Sequence, residues 1–163
     1  MSKWTDEFNQ LKTELTGNIT DETVKFAKKF GNYLGKDDTR DKVRDGMPVT
    51  GKNGRPIQET VNAKLTTNQL RKFFGEVKRQ QMNGYSEADF VLLKPKLAYA
   101  VGRTKGASKI KDFYEVMSNA IDIVAKEQDE KKAALYFKNF IKIFEAIVAY
   151  HKAAEEGKIS DNN

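Results

Sequence analysis

The chain has 163 residues, of which 39% are hydrophobic, and it contains no cysteine. This length is sufficient for one domain with its own hydrophobic core, and the lack of cysteine excludes disulfides, thiolate metal sites and cysteine nucleophiles. The net charge is +6, and residues 66–111 carry ten Lys and Arg against three Asp and Glu. This uneven distribution favours a polyanionic partner such as nucleic acid over a merely solvated surface.

The amino terminus is polar, and no apolar run of about eighteen residues occurs that could span a bilayer. We therefore expect a cytoplasmic protein that has no membrane partner.

Residues 1–35 show helical periodicity and are expected to form an amino-terminal helical extension. Thr20 can cap its second helix, and Gly31 and Gly35 are expected to weaken the end of that helix. The apolar residues of the first helix recur at helical spacing, at Trp4, Phe8, Leu11 and Leu15.

Residues 36–65 lose this periodicity and are rich in glycine, proline and charged residues. We predict that they form a long loop or linker. A hairpin turn over residues 52–55 is the alternative, although Pro48 and Pro56 would restrict its strands to a sheet edge.

The remaining chain predicts an all-α fold, a compact helical bundle with four core helices. These are expected at about 67–82, 86–102, 108–126 and 131–155, within a bundle domain of residues 66–156 that precedes a disordered tail at 157–163. Thr67 and Ser86 are good caps, and Pro95 predicts a break near Leu93. The last helix has the widest apolar face, so we expect it at the centre. Removal of residues 1 to about 60 is expected to leave this bundle folded.

Residues suited to catalysis are scarce, so we expect no enzymatic activity, cofactor or metal. His151 is the only histidine, and its place near the end of a helix suggests a surface residue. Asp37, Asp38 and Asp41 lie in the Lys- and Arg-rich linker. No phosphate-binding loop or nucleophile elbow is found.

Three segments together resemble the small subunit of the Csm effector complex of type III-A CRISPR systems. They are residues 65–71 (LTTNQLR), 92–103 (LLKPKLAYAVGR) and 140–151 (FIKIFEAIVAYH). Each one alone fits capping, a kinked helix or core packing, but their order and spacing together are specific. Residues 1 to about 60 lie outside the resemblance, so it assigns them no role.

The resemblance implies a helical bundle that is a non-catalytic part of an antiviral interference complex. Its partners would be the guide RNA, the target RNA, the backbone and large subunits, and further copies of itself along the RNA. Cleavage belongs to the backbone and large subunits in such complexes. The small subunit would bind the RNA backbone without sequence specificity and help to assemble the filament.

Basic residues around Pro95 and the glycine-rich helix end are the first candidates for phosphate contacts, at Lys94, Lys96 and Arg103. The basic face of the preceding helix comes next, at Arg71, Lys78 and Arg79, followed by Lys105 and Lys109. Tyr85 and Tyr99 could stack on bases, but we expect both to pack in the core, because base readout would not suit arbitrary guides.

Two other classes of protein remain open. A helical DNA-binding regulator would explain the basic helix, but the turn at Asn83-Gly84 and the apolar residues 90–93 fit a recognition helix poorly. A pure protein-interaction bundle is the second alternative, and it predicts no salt-sensitive affinity for RNA.

Overall fold

The computed structural model describes residues 2–104 and 109–158, which are mostly α-helical. The helices are α1 Lys3–Asn9, α2 Lys12–Leu15, α3 Asp21–Leu34, α4 Thr67–Asn83, α5 Glu87–Val91, α6 Leu93–Arg103, α7 Lys109–Ala125 and α8 Glu130–Glu155. The strands are β1 Asp38–Asp41, β2 Val43–Arg44, β3 Met47–Pro48 and β4 Gln58–Val61. The predicted helical fold class is confirmed, and the last five residues of the predicted tail lie outside the described part.

Local sequence signals account for the helix boundaries from α4 onward. The hydroxyl of Thr66, one residue before the predicted cap, accepts from the backbone N–H of Gln69, whose side chain accepts from the backbone N–H of Thr66. The Ser86 hydroxyl caps α5 as predicted. The predicted second core helix is divided at Leu92 into α5 and α6, because Pro95 lacks an N–H and would clash with the carbonyl of Val91.

Helix α8 is the centre of the core, as its broad apolar face predicts. The ring of Phe144 is fully buried and lies 5.2 Å from the ring of Phe73 in α4 and 6.0 Å from that of Phe113 in α7. Side chains from the amino-terminal helices belong to the same hydrophobic cluster, namely Trp4, Phe8, Leu11, Leu15, Phe26, Phe30 and Leu34. The packing therefore joins residues 2–35 to the bundle in one core.

Two glycines allow α3 to cross α8 at very short range. A Cβ at Gly31 would lie 2.7 Å from the carbonyl oxygen of Ile147, and one at Gly35 would lie 2.7 Å from that of His151. These distances are shorter than real Cβ contacts, so no larger residue fits without movement of the backbone. Helix α3 ends at Leu34, directly before Gly35. Both glycines are buried in the contact with α8, a role that the sequence interpretation did not include.

His151 is also buried, with 1% of its surface exposed, so the expected surface location was wrong. Its Nε2–H donates to the backbone carbonyl of Leu65, which leads into α4. Burial lowers the pKa of His151, although the bond to Leu65 and the nearby Glu155 oppose this shift. The neutral ring therefore ties α8 to the start of α4.

Residues 38–61 form paired strands where we predicted a loop, and the alternative, a hairpin turn over residues 52–55, is present between the bridged residues Thr50 and Pro56. We call the exposed segment 38–61 the β arm. Strand β1 pairs antiparallel with β4, and β2 pairs antiparallel with β3. The β2–β3 turn is Asp45-Gly46, and both residues have positive φ, 50° and 78°. An Asp-Gly pair suits such a two-residue hairpin turn, and this signal was present in the sequence but not used.

Candidate nucleic-acid interface

A groove with a volume of about 480 Å³ lies between α4 and α6. Its floor is apolar and includes Leu70, Phe73 and Leu97. Polar and aromatic side chains line it above this floor, including Lys72 from α4 and Lys96, Tyr99 and Arg103 from α6. We call these four residues the groove rim. The rim combines three cations with one aromatic ring.

Helical periodicity positions the rim. Lys72 lies four residues before Glu76 on α4, and Lys96, Tyr99 and Arg103 are spaced at three and four residues on α6. Residues at this spacing share one helix face. Since α4 and α6 also contact each other, these faces of the two helices line the same groove.

Glu76 is the acidic residue in the groove, and it engages two of the predicted basic residues. Its carboxylate accepts from the Arg79 guanidinium at 2.7 Å and also from the Lys96 ammonium. These two hydrogen bonds lower the pKa of Glu76 to about 2, although partial burial opposes the shift. The ion pair between Glu76 and Lys96 joins α4 to α6. The shared carboxylate also reduces the positive charge that Lys96 and Arg79 present to a ligand.

Tyr99 is 66% exposed, so the expectation that it packs in the core was wrong. The Arg103 guanidinium lies 5.5 Å from the centre of the Tyr99 ring, a cation–π contact. Tyr85 is different, because its ring packs against Phe90 and Phe137 in the core. An exposed ring beside a cation is the arrangement on which an unpaired base can stack.

Three further predicted residues lie away from the groove. The Lys94 ammonium is paired with Asp122 of α7 at 2.8 Å. Lys78 is paired with Glu145 of α8, and its ammonium lies 5.4 Å from the ring of Phe74. Arg71 is exposed and shares the helix line of Lys78.

Lys109 was predicted as an outlying contact, but its ammonium is inside the protein. The residue is 2% exposed, and Nζ donates to the carbonyl of Lys36 at 2.6 Å and pairs with Asp38 at 2.8 Å. It also lies 4.4 Å from the centre of the Tyr33 ring. Lys109 is therefore a buried residue that connects α7 to the base of the β arm. Lys105 lies outside the described residues.

The sequence interpretation missed a second basic face, formed by α1 and α3. A shallow pocket there is lined by Lys3, Lys25 and Lys29 together with Trp4 and Tyr33. Lys25 pairs with Asp21 and Glu22 at 3.0 and 2.7 Å, and these contacts raise its pKa to about 12. The spacing of lysines along one face of α3 was the available signal, but the carboxylates of Glu7 and Asp37 also line this pocket and offset its positive charge.

Among residues 2–104 and 109–158, no group of three or more His, Cys, Asp and Glu residues is arranged to hold a metal ion. The same residues include no helix that is long and apolar enough to cross a membrane.

Comparison with known protein families gives one match. The family model for Csm2 Type III-A covers residues 50–157, which is more than half of the chain. The match includes every element from β4 to α8 and therefore both sides of the groove. Neither the curated proteins nor the solved structures contain a match to this chain.

Proposed function

Because the chain belongs to the Csm2 Type III-A family, the small subunits of type III-A CRISPR effector complexes, we propose that it holds the guide and target RNA of that complex. The contacts are made to the RNA phosphates by the groove rim. They are independent of base sequence, as a subunit that serves any guide requires. The complex also contains other Csm subunits.

The observation that carries this proposal is the composition of the groove. Lys72 and Arg103 are exposed and form no ion pair with any residue of the described part, so their charge is available to phosphates. The exposed ring of Tyr99 lines the same groove beside Arg103 and supplies a stacking surface that tolerates any base. Cations beside an aromatic platform are typical of proteins that bind single-stranded nucleic acid.

The role of the subunit is structural in this proposal. Further copies of the chain lie along the RNA beside the backbone and large subunits, and the assembly acts in the cytoplasm. The chain itself cleaves neither RNA nor DNA, and it uses no cofactor. Purified protein incubated with labelled RNA and a divalent metal should leave the RNA intact, and metal-dependent cleavage lost on changing Asp37, Asp38 and Asp41 to Asn would contradict this role.

A filter-binding titration with a 30-nucleotide RNA at several salt concentrations tests the groove directly. Changing Lys72, Lys96 and Arg103 to Ala should reduce the slope of log affinity against log salt by about 1.4 to 2 units, at about 0.7 per phosphate contact. The lower value applies if Glu76 keeps Lys96 from contacting a phosphate, and the higher value applies if Lys96 exchanges Glu76 for the RNA. Lys94 is left unchanged because Asp122 already pairs with it.

The matched control changes three exposed lysines at the α7–α8 turn, Lys126, Lys131 and Lys132, to Ala. These lysines lie among compensating acids, so the slope should hardly change. Equal losses from both triple variants would show only general attraction to net charge. No salt-sensitive affinity at all would favour a protein-interaction bundle, and preference for duplex DNA would favour a DNA-binding regulator.

Glu76→Gln should change RNA affinity in the opposite direction from the groove triple variant. The substitution removes a negative charge from the groove and releases Lys96 and Arg79 from their shared carboxylate. RNA affinity should therefore increase, and the salt slope should become steeper. An unchanged or weaker affinity would argue against phosphate binding in this groove.

A further inference from the structure

The β arm is a branched structure with a paired stem. Beyond the β1–β4 stem, three backbone hydrogen bonds of 2.7 Å join Lys42, Val49 and Ile57. Two short hairpins extend from this junction, one over β2–β3 and the other closed by the Thr50–Pro56 bridge. In the second hairpin, the N–H of Gly51 donates to the carbonyl of Arg55 at 2.8 Å. We call residues 42–57 the arm tip.

The arm tip carries an excess of unpaired positive charge. It contains four basic residues and one acidic residue, Asp45. All four basic side chains are exposed, and none forms an ion pair with a described residue, whereas Arg40 in the stem pairs with Glu59 at 2.7 Å. The four are Lys42, Arg44, Lys52 and Arg55.

The base of the arm is held by partly buried polar contacts. Lys109 bonds to Asp38 at the first residue of β1. The backbone N–H groups of Lys64 and Ala63, which follow β4, both donate to Asp37 at 3.1 Å. These bonds lower the pKa of Asp37, the bond from Lys64 being the largest cause. Asp37 thus joins the two ends of the stem to each other, and Lys109 attaches them to α7 through Asp38 and the carbonyl of Ala63.

We propose that the arm tip is a second contact to the phosphate backbone of RNA, separate from the groove between α4 and α6. The proposal rests on the proposed function, because it assumes that RNA is the ligand of this chain. The excess of four cations over one acid complements a polyanion. Two Arg guanidinium groups can each contact a phosphate through paired N–H donors. The family match begins at residue 50, so β1 and the first hairpin are outside the matched residues.

A protein partner would use the apolar side chains of the tip instead. Its exposed large apolar side chains are Ile57, at 41% exposure, and Val43 and Met47, at 55% and 69%, so they are fewer than the four exposed basic side chains. The balance of the surface therefore favours phosphate over an apolar protein surface. Val43 and Met47 provide a matched control, because they lie in the same hairpin as Arg44.

The test uses the full chain and the same 30-nucleotide RNA over a range of salt. Changing Lys42, Arg44, Lys52 and Arg55 to Ala should reduce the salt slope by about three units if each neutralises one phosphate. Changing Val43 and Met47 to Thr keeps the charge and the strand preference, so it should leave the slope unchanged. Circular dichroism checks that each variant is folded.

A shortened chain provides a second variant. Asp41 and Gln58 are directly paired, so residues 42–57 can be replaced by Asn-Gly, which closes a two-residue hairpin turn. This chain lacks the whole tip and should lose as much slope as the charge variant.

The outcomes separate the two proposals. Loss of slope in both arm variants but not in the Thr control supports the arm contact. An unchanged slope in the arm variants, with loss in the groove variant, overturns the arm contact and leaves the proposed function intact. An effect of the Thr control as large as that of the charge variant overturns phosphate binding by the arm. If neither the arm nor the groove variants change the slope, both proposals are overturned.

Discussion

The α3–α8 crossing and the β arm both depend on glycine, but for opposite reasons. At the crossing, Gly31 is needed because the backbone of α8 occupies the space that a side chain would fill. In the arm, Gly46 and Gly54 have φ values of 78° and 73°, and no heavy atom lies near the position of an added Cβ. One region requires glycine for its small size and the other for its backbone freedom.

The two regions also differ in what their surfaces can do. The crossing is buried and joins the amino-terminal helices to α8, so its residues determine stability. The arm exposes cations and buries little, so its residues are available to a ligand. A change in one region should therefore alter the unfolding transition, while a change in the other should alter binding.

Removal of residues 2–35 should have the largest effect, and it should abolish cooperative unfolding. Seven large apolar side chains of this segment are buried in the common core. Their burial contributes about 10–20 kcal/mol at about 1.5–3 kcal/mol each, which is comparable to the total stability of a domain. Thermal melting by circular dichroism measures this. A truncated chain that melts cooperatively would show that the bundle folds without the amino-terminal helices, as the sequence led us to expect.

Gly31→Ala should destabilise the fold by about 1–3 kcal/mol, because the added Cβ would lie 2.7 Å from the carbonyl oxygen of Ile147. The matched control is Gly75→Ala in α4, where the residue is exposed and an added Cβ meets nothing within 4 Å. Alanine is favoured over glycine there by about 0.5–1 kcal/mol, so the control should raise the Tm. A rise in Tm for both variants would contradict close packing at the crossing.

Acid should destabilise the fold through His151, whose ring bonds to Leu65 at the start of α4. The unfolded chain binds a proton near pH 6.5, whereas burial keeps the folded ring neutral to lower pH. The unfolded state therefore binds more protons below about pH 6.5, and the free energy of unfolding falls as the pH falls towards the folded pKa, by at most about 1.4 kcal/mol per pH unit.

Denaturant unfolding at pH 7, 6 and 5 measures this dependence. His151→Gln keeps a donor for the Leu65 carbonyl and cannot titrate, so its stability should be lower at pH 7 but nearly constant over this range. No other histidine is present to compensate. An equal loss of stability in the variant would assign the pH dependence to other groups.

Replacement of the arm tip by Asn-Gly should have the smallest effect on stability. Residues 42–48 are all exposed, and the stem pairs remain in place. The Tm should therefore stay within about 2 °C of the wild-type value, since surface changes usually cost less than about 0.5 kcal/mol. A large fall in Tm would show that the tip supports the core.

Local signals in the sequence were sufficient for the helices but not for the contacts between distant segments. Periodicity and capping located α4 to α8, and Pro95 located the break at Leu92, because these effects act within a few residues. The roles of Gly31 and Lys109 depend on segments more than 70 residues away, α8 for Gly31 and residues 36–38 for Lys109. No local pattern reports such a partner.

In the candidate site, too, local signals were visible in the sequence and contacts between helices were not. Charge counts identified the basic middle of the chain, and Lys96 and Arg103 do line the groove. The pairing of Lys94 with α7 and of Lys78 with α8 could not be read from spacing along their own helices. The exposure of Tyr99 was missed because helical spacing alone does not show which face of α6 is covered.

The most direct test of the proposed interface is photo-crosslinking of the full chain to RNA that contains 4-thiouridine at several positions, followed by peptide mapping. Contact in the groove predicts crosslinks in peptides from α4 and α6, with Tyr99 among the modified residues, and their loss in the Lys72, Lys96 and Arg103 triple variant. Crosslinks confined to α7 and α8, or to the lysines of α1 and α3, would contradict an RNA interface between α4 and α6.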